Sequence, residues 1–444
     1  MIDGKKVILG IFDNHNCGAA LLVDGKVIQI AEEERFTRLK MDTGFPAQCL
    51  EYFKKQFPKY MQNIDSVAMA GTQLEFKEIV TKRYSLYSIK DFLIEEDRYW
   101  IPYLQGEEVN YFDVMKEYIK PELSPYPVEQ IKDRKSNDEI RAMRQKYAAE
   151  YLGVDLEKVQ FVDHHTCHAY YAYYASPIRE DAVILTADGW GDGSNGTVFV
   201  VKNGELPKCL MRTNFCNIGR VYHFITLLLG MQPAQHEYKV MGMAAYAKEH
   251  YIKEPLKVFE EMYYVDGLEF KIDKPIRNHY QHFRKKLEGY RFDAIAGAVQ
   301  RYTENLLTQW TKNCIAYTGI RNVVFSGGIS LNIKASKRIA ELPEVENMFI
   351  CMAGSDSSLP VGAAQHEWCR EEKAEELVAL TSPYLAGGFD REDIDEALAH
   401  PLIKERYDVV EDVSMQDVAE LLAEGNIVGL MMGNMEFGPR ALGH

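Results

Sequence analysis

VILGIFDNHNCGAALLVDGKVIQIA, residues 7–31, consists of three apolar runs separated by a polar loop around Asp13 and by an Asp24-Gly25 pair. Asp-Gly between apolar runs marks a two-residue hairpin turn, because both positions must tolerate positive φ. The stretch therefore predicts strands VILGIF, GAALLV and KVIQIA in antiparallel succession. The same order returns in AVILTADGWGDGSNGTVFVVKNGELPKCLM, residues 182–211. Here the prediction is strand AVILTA, a loop DGWGDGSNG opening at Asp188, strand TVFVV, an Asn203-Gly204 turn and strand ELPKCLM. In each copy an aspartate, Asp13 or Asp188, follows directly on the first apolar strand.

An internal echo of this kind points to a duplicated β-hairpin domain whose two acidic loops face one cleft. That is the arrangement of the actin-like ATPase fold shared by sugar kinases and chaperone ATPases. The expected fold class is thus α/β, with two βββαβα-type lobes over residues 1–380, divided at about residue 180. NVVFSGGISLNIKASKRIA, residues 322–340, adds a strand, a glycine turn and a helix. Gly327 and Gly328 let backbone approach a ligand closely, and such a turn is able to hold a nucleotide.

DHHTCHAYYAYY, residues 163–174, puts His164 and His168 at i and i+4, which on a helix stacks both imidazoles on one face. His165 points elsewhere. Tyr170, Tyr171, Tyr173 and Tyr174 are expected to pack around this helix and shield it. In CMAGSDSSLPVGAAQHEW, residues 351–368, Asp356 sits in a Gly/Ser loop before a small-residue helix, where it could cap that helix or become a third metal ligand. Two imidazoles and one carboxylate with open positions suit iron(II), and less distinctively manganese or zinc.

At 444 residues with 46% hydrophobic content, the chain is long enough for two or three packed lobes. Its formal net charge of -15, with no Lys/Arg block, argues against binding a nucleic-acid backbone. The eight cysteines include no CxxC pair and fit a reduced interior. MIDGKKVILG has no apolar signal core, and no run approaches the roughly 18 apolar residues of a membrane span. A cytoplasmic protein without membrane or nucleic-acid partners is expected.

The stretches GIFDNHNCGAALLVDGKV, AEEERFTRLKMDTGFP, DHHTCHAYYAYYASP, LTADGWGDG, EYKVMGMAAYA, FSGGISLNIKAS, GSDSSLPVGAA and MEFGPRALGH resemble, in order, the O-carbamoyltransferase family of nodulation, cephamycin and tobramycin carbamoyltransferases. The family's N-terminal domain is similar to the tRNA threonylcarbamoyl-transfer protein, an actin-like fold in which an HxxxH pair and a distant Asp hold iron. The resemblance implies that His164, His168 and Asp356 are metal ligands. It places Gly327, Gly328 and Asn332 beside the adenosine of a bound nucleotide, with Gly189 and Gly191 also on the nucleotide side. One departure is His15-Asn16, where the family reads His-Asp.

The implied chemistry makes carbamoyladenylate from carbamoyl phosphate and ATP, with magnesium, and passes the carbamoyl group to a hydroxyl of a small-molecule acceptor. A cation on the carbamoyl oxygen stabilises the charge that builds up during attack. The acceptor must lose a proton, and Asp188, Asp13 and His15, in that order, are the candidate bases; Asp188 could equally form a turn or ligate nucleotide-bound magnesium. Lys239 in EYKVMG could neutralise a phosphate or carboxylate as a point charge. Arg35 and Arg38, mixed with three glutamates, read as an inter-lobe ion network.

After the link at residues 381–389 a new acidic segment begins, with a helix VSMQDVAELLAEG and a strand NIVGLMMG leading into MEFGPRALGH. Arg440 behind a Gly-Pro turn is a candidate phosphate clamp. In the family this motif belongs to the YrdC-like domain that makes the adenylate, so residues 381–444 are expected to be the beginning of such a domain, truncated. The alternatives are a tRNA threonylcarbamoyl transferase and a non-catalytic nucleotide-binding module; a sugar or acetate kinase on this fold would not need HxxxH. The acceptor's identity is not legible, and homodimerisation is open.

Overall fold

The computed structural model describes residues 4–132 and 136–444. Among the described residues twelve strands form two five-stranded sheets and one small ribbon. β1 (Val7–Phe12), β2 (Gly18–Val23), β3 (Lys26–Glu32), β4 (Ser66–Ala70) and β5 (Val159–Val162) make the first sheet in the order β3-β2-β1-β4-β5. β1 and β2 pair antiparallel with Val7 opposite Val23, β2 and β3 also pair antiparallel, and β4 and β5 add in parallel.

The second sheet uses β6 (Ala182–Gly191), β7 (Ser194–Val201) and β8 (Lys208–Thr213); β9 (Tyr263–Asp266) and β10 (Glu269–Ile272) form the ribbon; β11 (Asn322–Ser326) and β12 (Asn347–Ile350) complete the sheet. Its order, β8-β7-β6-β11-β12, repeats the first sheet strand for strand, with the same antiparallel and parallel pairings. The hairpin repeat is therefore a repeat of whole sheets. Asp24-Gly25 and Asn203-Gly204 take the positive φ values, 47° and 73° and 54° and 73°, that such turns demand.

One expected loop is largely strand. DGWGDGSNG does not leave the sheet at Asp188: β6 continues to Gly191, and β7 begins at Ser194 rather than at Thr197. A further tight turn at Asp192-Gly193, with φ 48° and 80°, closes this hairpin. The register slips between Ala187 and Gly191, so Asp188, Gly189 and Trp190 bulge out of the ladder. The next strand, β8, starts at Lys208 and not at Glu205.

Helix His164–Tyr174 follows β5 and is buried along nearly all its length, the four tyrosines included. Asp163 caps it, accepting from the Thr166 N–H at 2.9 Å. Helix Leu359–Glu371 lies between it and the first sheet. A side-chain carbon at Gly362 would overlap the Cys167 carbonyl, and one at Gly10 would overlap the Pro360 carbonyl, so both glycines are required for this close approach. The leading turn of helix Leu359–Glu371 is thereby brought onto the histidine face.

Residues 74–132 form an insertion rich in short helices. It packs Tyr87 and Phe92 against Leu227 and Tyr280 of the second half of the chain.

The C-terminal stretch differs from expectation. Helices Arg391–Ala399, Pro401–Arg406 and Met415–Ala423 contain no buried residue, and NIVGLMMG forms no strand. The ends of this stretch nevertheless fold back onto the first sheet. The Ile30 N–H donates to the Leu385 carbonyl at 2.9 Å, the Gly438 N–H to Glu32 at 3.2 Å, and Arg35 bonds the Gly438 carbonyl while pairing with Glu32 at 3.1 Å. The ion network is built by Arg35 and is not inter-lobe: that residue pairs with Glu32 and Glu34 and joins them to the C-terminal stretch, while Arg38 makes no ion pair among the described residues.

Candidate functional site

Three separate elements deliver four ligand-type side chains to one point. His164 and His168 come from the buried helix, Asp188 from the bulge in β6, and Asp356 from the one-turn helix Asp356–Ser358. Asp188 Oδ2 lies 3.4 Å from His164 Nε2 and 3.0 Å from His168 Nε2, and Asp356 Oδ1 lies 3.5 and 3.4 Å from the same nitrogens. One ligand atom from each of the four falls within 4.8 Å of the others. Asp356 thus meets both histidines although nearly two hundred residues separate them in the chain. Asp188, expected first as a base, stands among these ligand-type side chains.

Glycine makes the room. A Cβ at Gly191 would overlap the His164 ring, and one at Gly328 would sit 2.8 Å from Asp188 Oδ1. Gly327, at φ 93°, could carry no side chain without striking the Ala187 backbone, and its N–H donates to the Gly354 carbonyl at 2.7 Å. Ser326 Oγ bonds that same carbonyl at 3.1 Å and lies 3.3 Å from His168 Nδ1, the nitrogen facing away from the cluster. This contact orients the ring as a supporting partner does in metal sites. Asp192, not singled out in the sequence, accepts from the N–H groups of His164, Thr72 and Gln73, each at 2.8 Å, and so ties the start of the histidine helix to the first sheet.

Electrostatics favour a cation at this point. Burial drives the Asp356 carboxyl well above its usual range, and the neighbouring Asp188 charge adds to this. For Asp188 burial pushes the same way, but hydrogen bonds to His164 and His168 overcome it and hold the group well below its usual range. Burial lowers His164, yet the Asp356 and Asp188 charges win and raise it. Asp356 Oδ1 is buried without a hydrogen-bond partner. Two carboxylates, two imidazoles and an unsatisfied buried oxygen fit a divalent metal ion, which supplies the positive charge they otherwise lack.

The remaining expected residues divide. His15 is one of the group: its Nδ1 is 3.7 Å from Asp356 Oδ2. Asp13 is not available as a base. Arg144 grips its carboxylate with Nε at 2.8 Å and Nη2 at 2.5 Å, Tyr126 donates to it as well, and both Asp13 and Arg144 are fully buried. Gly191 leaves room for the His164 ring. The Asn332 amide is committed to protein, exchanging two 3.0 Å hydrogen bonds with Gln300 and capping the Ala335 N–H, so its side chain is not free for adenosine. The Gly189 N–H bonds Asp188 Oδ1 at 2.7 Å, and the space above its Cα is open.

Lys239 and Arg440 come together. Arg440 stacks 3.6 Å over the Tyr238 ring, and burial together with the charges of Lys239 and Arg440 lowers the pKa of His236. EYKVMG and EFGPRALG therefore meet, and neither cation has an ion pair among the described residues. A surface pocket of about 540 Å³ beyond the Asp192-Gly193 turn, lined by Arg212, Phe215 and Lys271, includes none of the four cluster residues. Among the described residues no helix is long and apolar enough to cross a membrane.

Comparison with known proteins gives this geometry a context. An uncharacterised protein of Synechocystis is 26% identical over 460 residues, covering 97% of this chain and 68% of its own length. The nodulation protein NolNO of Sinorhizobium fredii is 25% identical, covering 97% of this chain and 57% of its own. Among solved structures, component A of the Acidaminococcus fermentans (R)-2-hydroxyglutaryl-CoA dehydratase superposes with a TM-score of 0.42 at 12% identity, over 81% of this chain and 96% of that one. The family described as carbamoyltransferase N-terminus matches residues 7–365, a span that holds all four cluster residues and both sheets, and the chain belongs to that O-carbamoyltransferase family.

Proposed function

We propose that this chain transfers a carbamoyl group from carbamoyladenylate, made from carbamoyl phosphate and ATP, to a hydroxyl of a small-molecule acceptor. The observation that carries the reading is the convergence of His164, His168, Asp188 and Asp356, in a chain of this family, around a buried carboxylate oxygen without a partner. The repeated strand order supports reading residues 1–380 as two actin-like lobes. Residues 381–444 carry EFGPRALG and in this reading belong to the adenylate-forming part.

His164, His168, Asp188 and Asp356 would hold the ion, with iron(II) the first candidate and manganese or zinc the others. When bound, such an ion acts as a Lewis acid toward the carbamoyl oxygen. Asp188, engaged by two imidazoles, is poorly suited to take a proton. The base falls to His15, which flanks Asp356 and is partly open to solvent; its imidazole takes the acceptor's hydroxyl proton as the oxygen bonds the carbamoyl carbon and the bond from that carbon to the adenylate phosphate oxygen breaks, releasing AMP. Lys239 and Arg440, on one patch and without ion pairs, would hold anionic oxygens of the donor.

The test is metal analysis of the purified full chain, followed by assay with synthetic carbamoyladenylate and a panel of hydroxylated acceptors before and after chelation. Stoichiometric metal and chelator-sensitive carbamoyl release or transfer are expected. Turnover that survives complete removal of metal would overturn the reading.

A further inference from the structure

Beside the metal cluster lies a cation that the chemistry above does not use. Helix Ile218–Leu228 begins against the β6 bulge so closely that a Cβ at Gly219 would sit 3.1 Å from the Gly189 Cα and 3.3 Å from the Asp188 carbonyl oxygen. Its next residue is Arg220, whose guanidinium carbon lies 4.6 Å from the centre of the Trp190 ring, two residues beyond Asp188. Arg220 has no hydrogen bond or ion pair among the described residues. Its side chain stays open to solvent, yet the surrounding walls remove enough water to lower its pKa.

No residue of those walls pairs with it directly. Burial, reinforced by the Arg220 charge, holds His223 and His279 uncharged, each pushed down to about 4. His279 is engaged with the Tyr263 hydroxyl at 2.9 Å. Glu75 and Tyr263 act on Arg220 electrostatically without bonding to it. A guanidinium beside an indole at this distance, with no protein acceptor on it, keeps N–H donors that match two oxygens of a phosphate or carboxylate.

We infer that Arg220, supported by Trp190, binds an oxyanion carried by a substrate at the edge of the His164, His168, Asp188 and Asp356 cluster. The chemistry is shared by two sources, the phosphate of a nucleotide donor and an acidic group on the acceptor. The inference rests on the proposed carbamoyl transfer only in calling the occupant a substrate; the anion site itself is testable without turnover. In the second case Arg220 selects acceptors that bear a carboxylate, phosphate or sulfate near the reacting hydroxyl.

The experiment is calorimetric titration of the full chain with AMP, with adenosine, and with inorganic phosphate in the presence of saturating adenosine, comparing wild type with Arg220→Met and Arg220→Gln. Loss of a charged, two-pronged hydrogen bond weakens binding by about 10-fold to 100-fold. A loss confined to AMP, with adenosine unchanged, assigns Arg220 to the donor phosphate; a loss for inorganic phosphate with AMP unchanged assigns it to the acceptor's anion. Metal content and melting temperature establish that each variant is folded, and Arg220→Gln serves if Arg220→Met is not. The inference is overturned if both anions bind the folded variant within about two-fold of wild type, or if neither binds wild type at millimolar concentration. Wild-type anion binding without carbamoyl transfer would overturn the proposed function and leave Arg220 assigned.

Discussion

Asp13 and Asp188 occupy the same place in two copies of one sheet, each six residues after the start of the first strand, yet they do opposite work. Asp13 is closed off by Arg144 and Tyr126 and acts as a strut inside the first half of the chain. Asp188 is held out of the ladder by the β6 bulge and faces two imidazoles and a second carboxylate. The duplicated scaffold fixes only where an acid stands. Whether that acid becomes structure or chemistry is decided by what packs opposite: a guanidinium from helix Asn137–Leu152 in one case, the histidine face in the other.

The contrast is broken most directly at Asp188. Asp188→Ala removes a group that touches both histidines, and removing even a supporting residue costs a metal site about 10-fold to 100-fold. Metal affinity and carbamoyl transfer should fall by at least that factor while the melting temperature changes little or rises, because repulsion with Asp356 is relieved. Metal analysis and single-turnover assay read the two quantities. A variant with wild-type metal content and rate would return Asp188 to the status of a turn residue.

The opposite signature is expected at the strut. Arg144→Met strands the fully buried Asp13 carboxylate, a loss of about 3–5 kcal/mol in unfolding free energy. Metal bound per folded molecule should stay near wild type. Pairing Arg144→Met with Asp13→Leu should recover most of the loss, since an apolar pair replaces a buried ion pair at little cost. Chemical denaturation measures both; a double variant as unstable as the single would show that Arg144 acts through its carbonyl contacts to Gly71 and Gln73 instead.

The repeat was legible because hairpin turns leave a local mark: Asp24-Gly25 and Asn203-Gly204 state their backbone geometry in two letters. HxxxH was legible for the same reason, as a spacing within one helix. Asp356 was legible only as an acid in a Gly/Ser loop that could cap a helix or ligate a metal, and the family resemblance singled out the second role. The roles of Asp13 and Asp188 were not legible, since Arg144 lies 131 positions from Asp13 and nothing local announces their pairing. Gly191 reads as a glycine on the nucleotide side and Gly362 as an ordinary small residue, although one makes room for the His164 ring and the other for helix contact. The DGWGDG run concealed a further hairpin turn, Asp192-Gly193, and taking it as one long loop hid the bulge that aims Asp188.

A smaller effect tests whether the insertion that lends Tyr126 to the strut is also locked to the second half of the chain. Glu96, in that insertion, is buried and accepts from Asn278 Nδ2 at 3.1 Å. Burial raises its pKa to about 7, against a lowering contribution from the Asn278 hydrogen bond. A carboxyl raised in the folded state binds its proton more tightly there than in the unfolded chain, so its contribution to stability is present at acid pH and is lost as pH rises from its usual value through about 7. Glu96→Gln keeps an oxygen for Asn278 and cannot ionise. It should match wild type near pH 5 and exceed it by about 1–3 kcal/mol near pH 8. Glu78 and Glu237, raised in the same direction, titrate in both proteins and cancel in the difference, whereas the neighbouring Glu95, whose charge helps to raise Glu96, is relieved by the substitution and adds to the gain at high pH. Equal stabilities at both pH values would mean that Glu96 meets water in solution and that the contact with Asn278 opens, leaving Tyr126 and the Asp13 strut to be held by the first half of the chain alone.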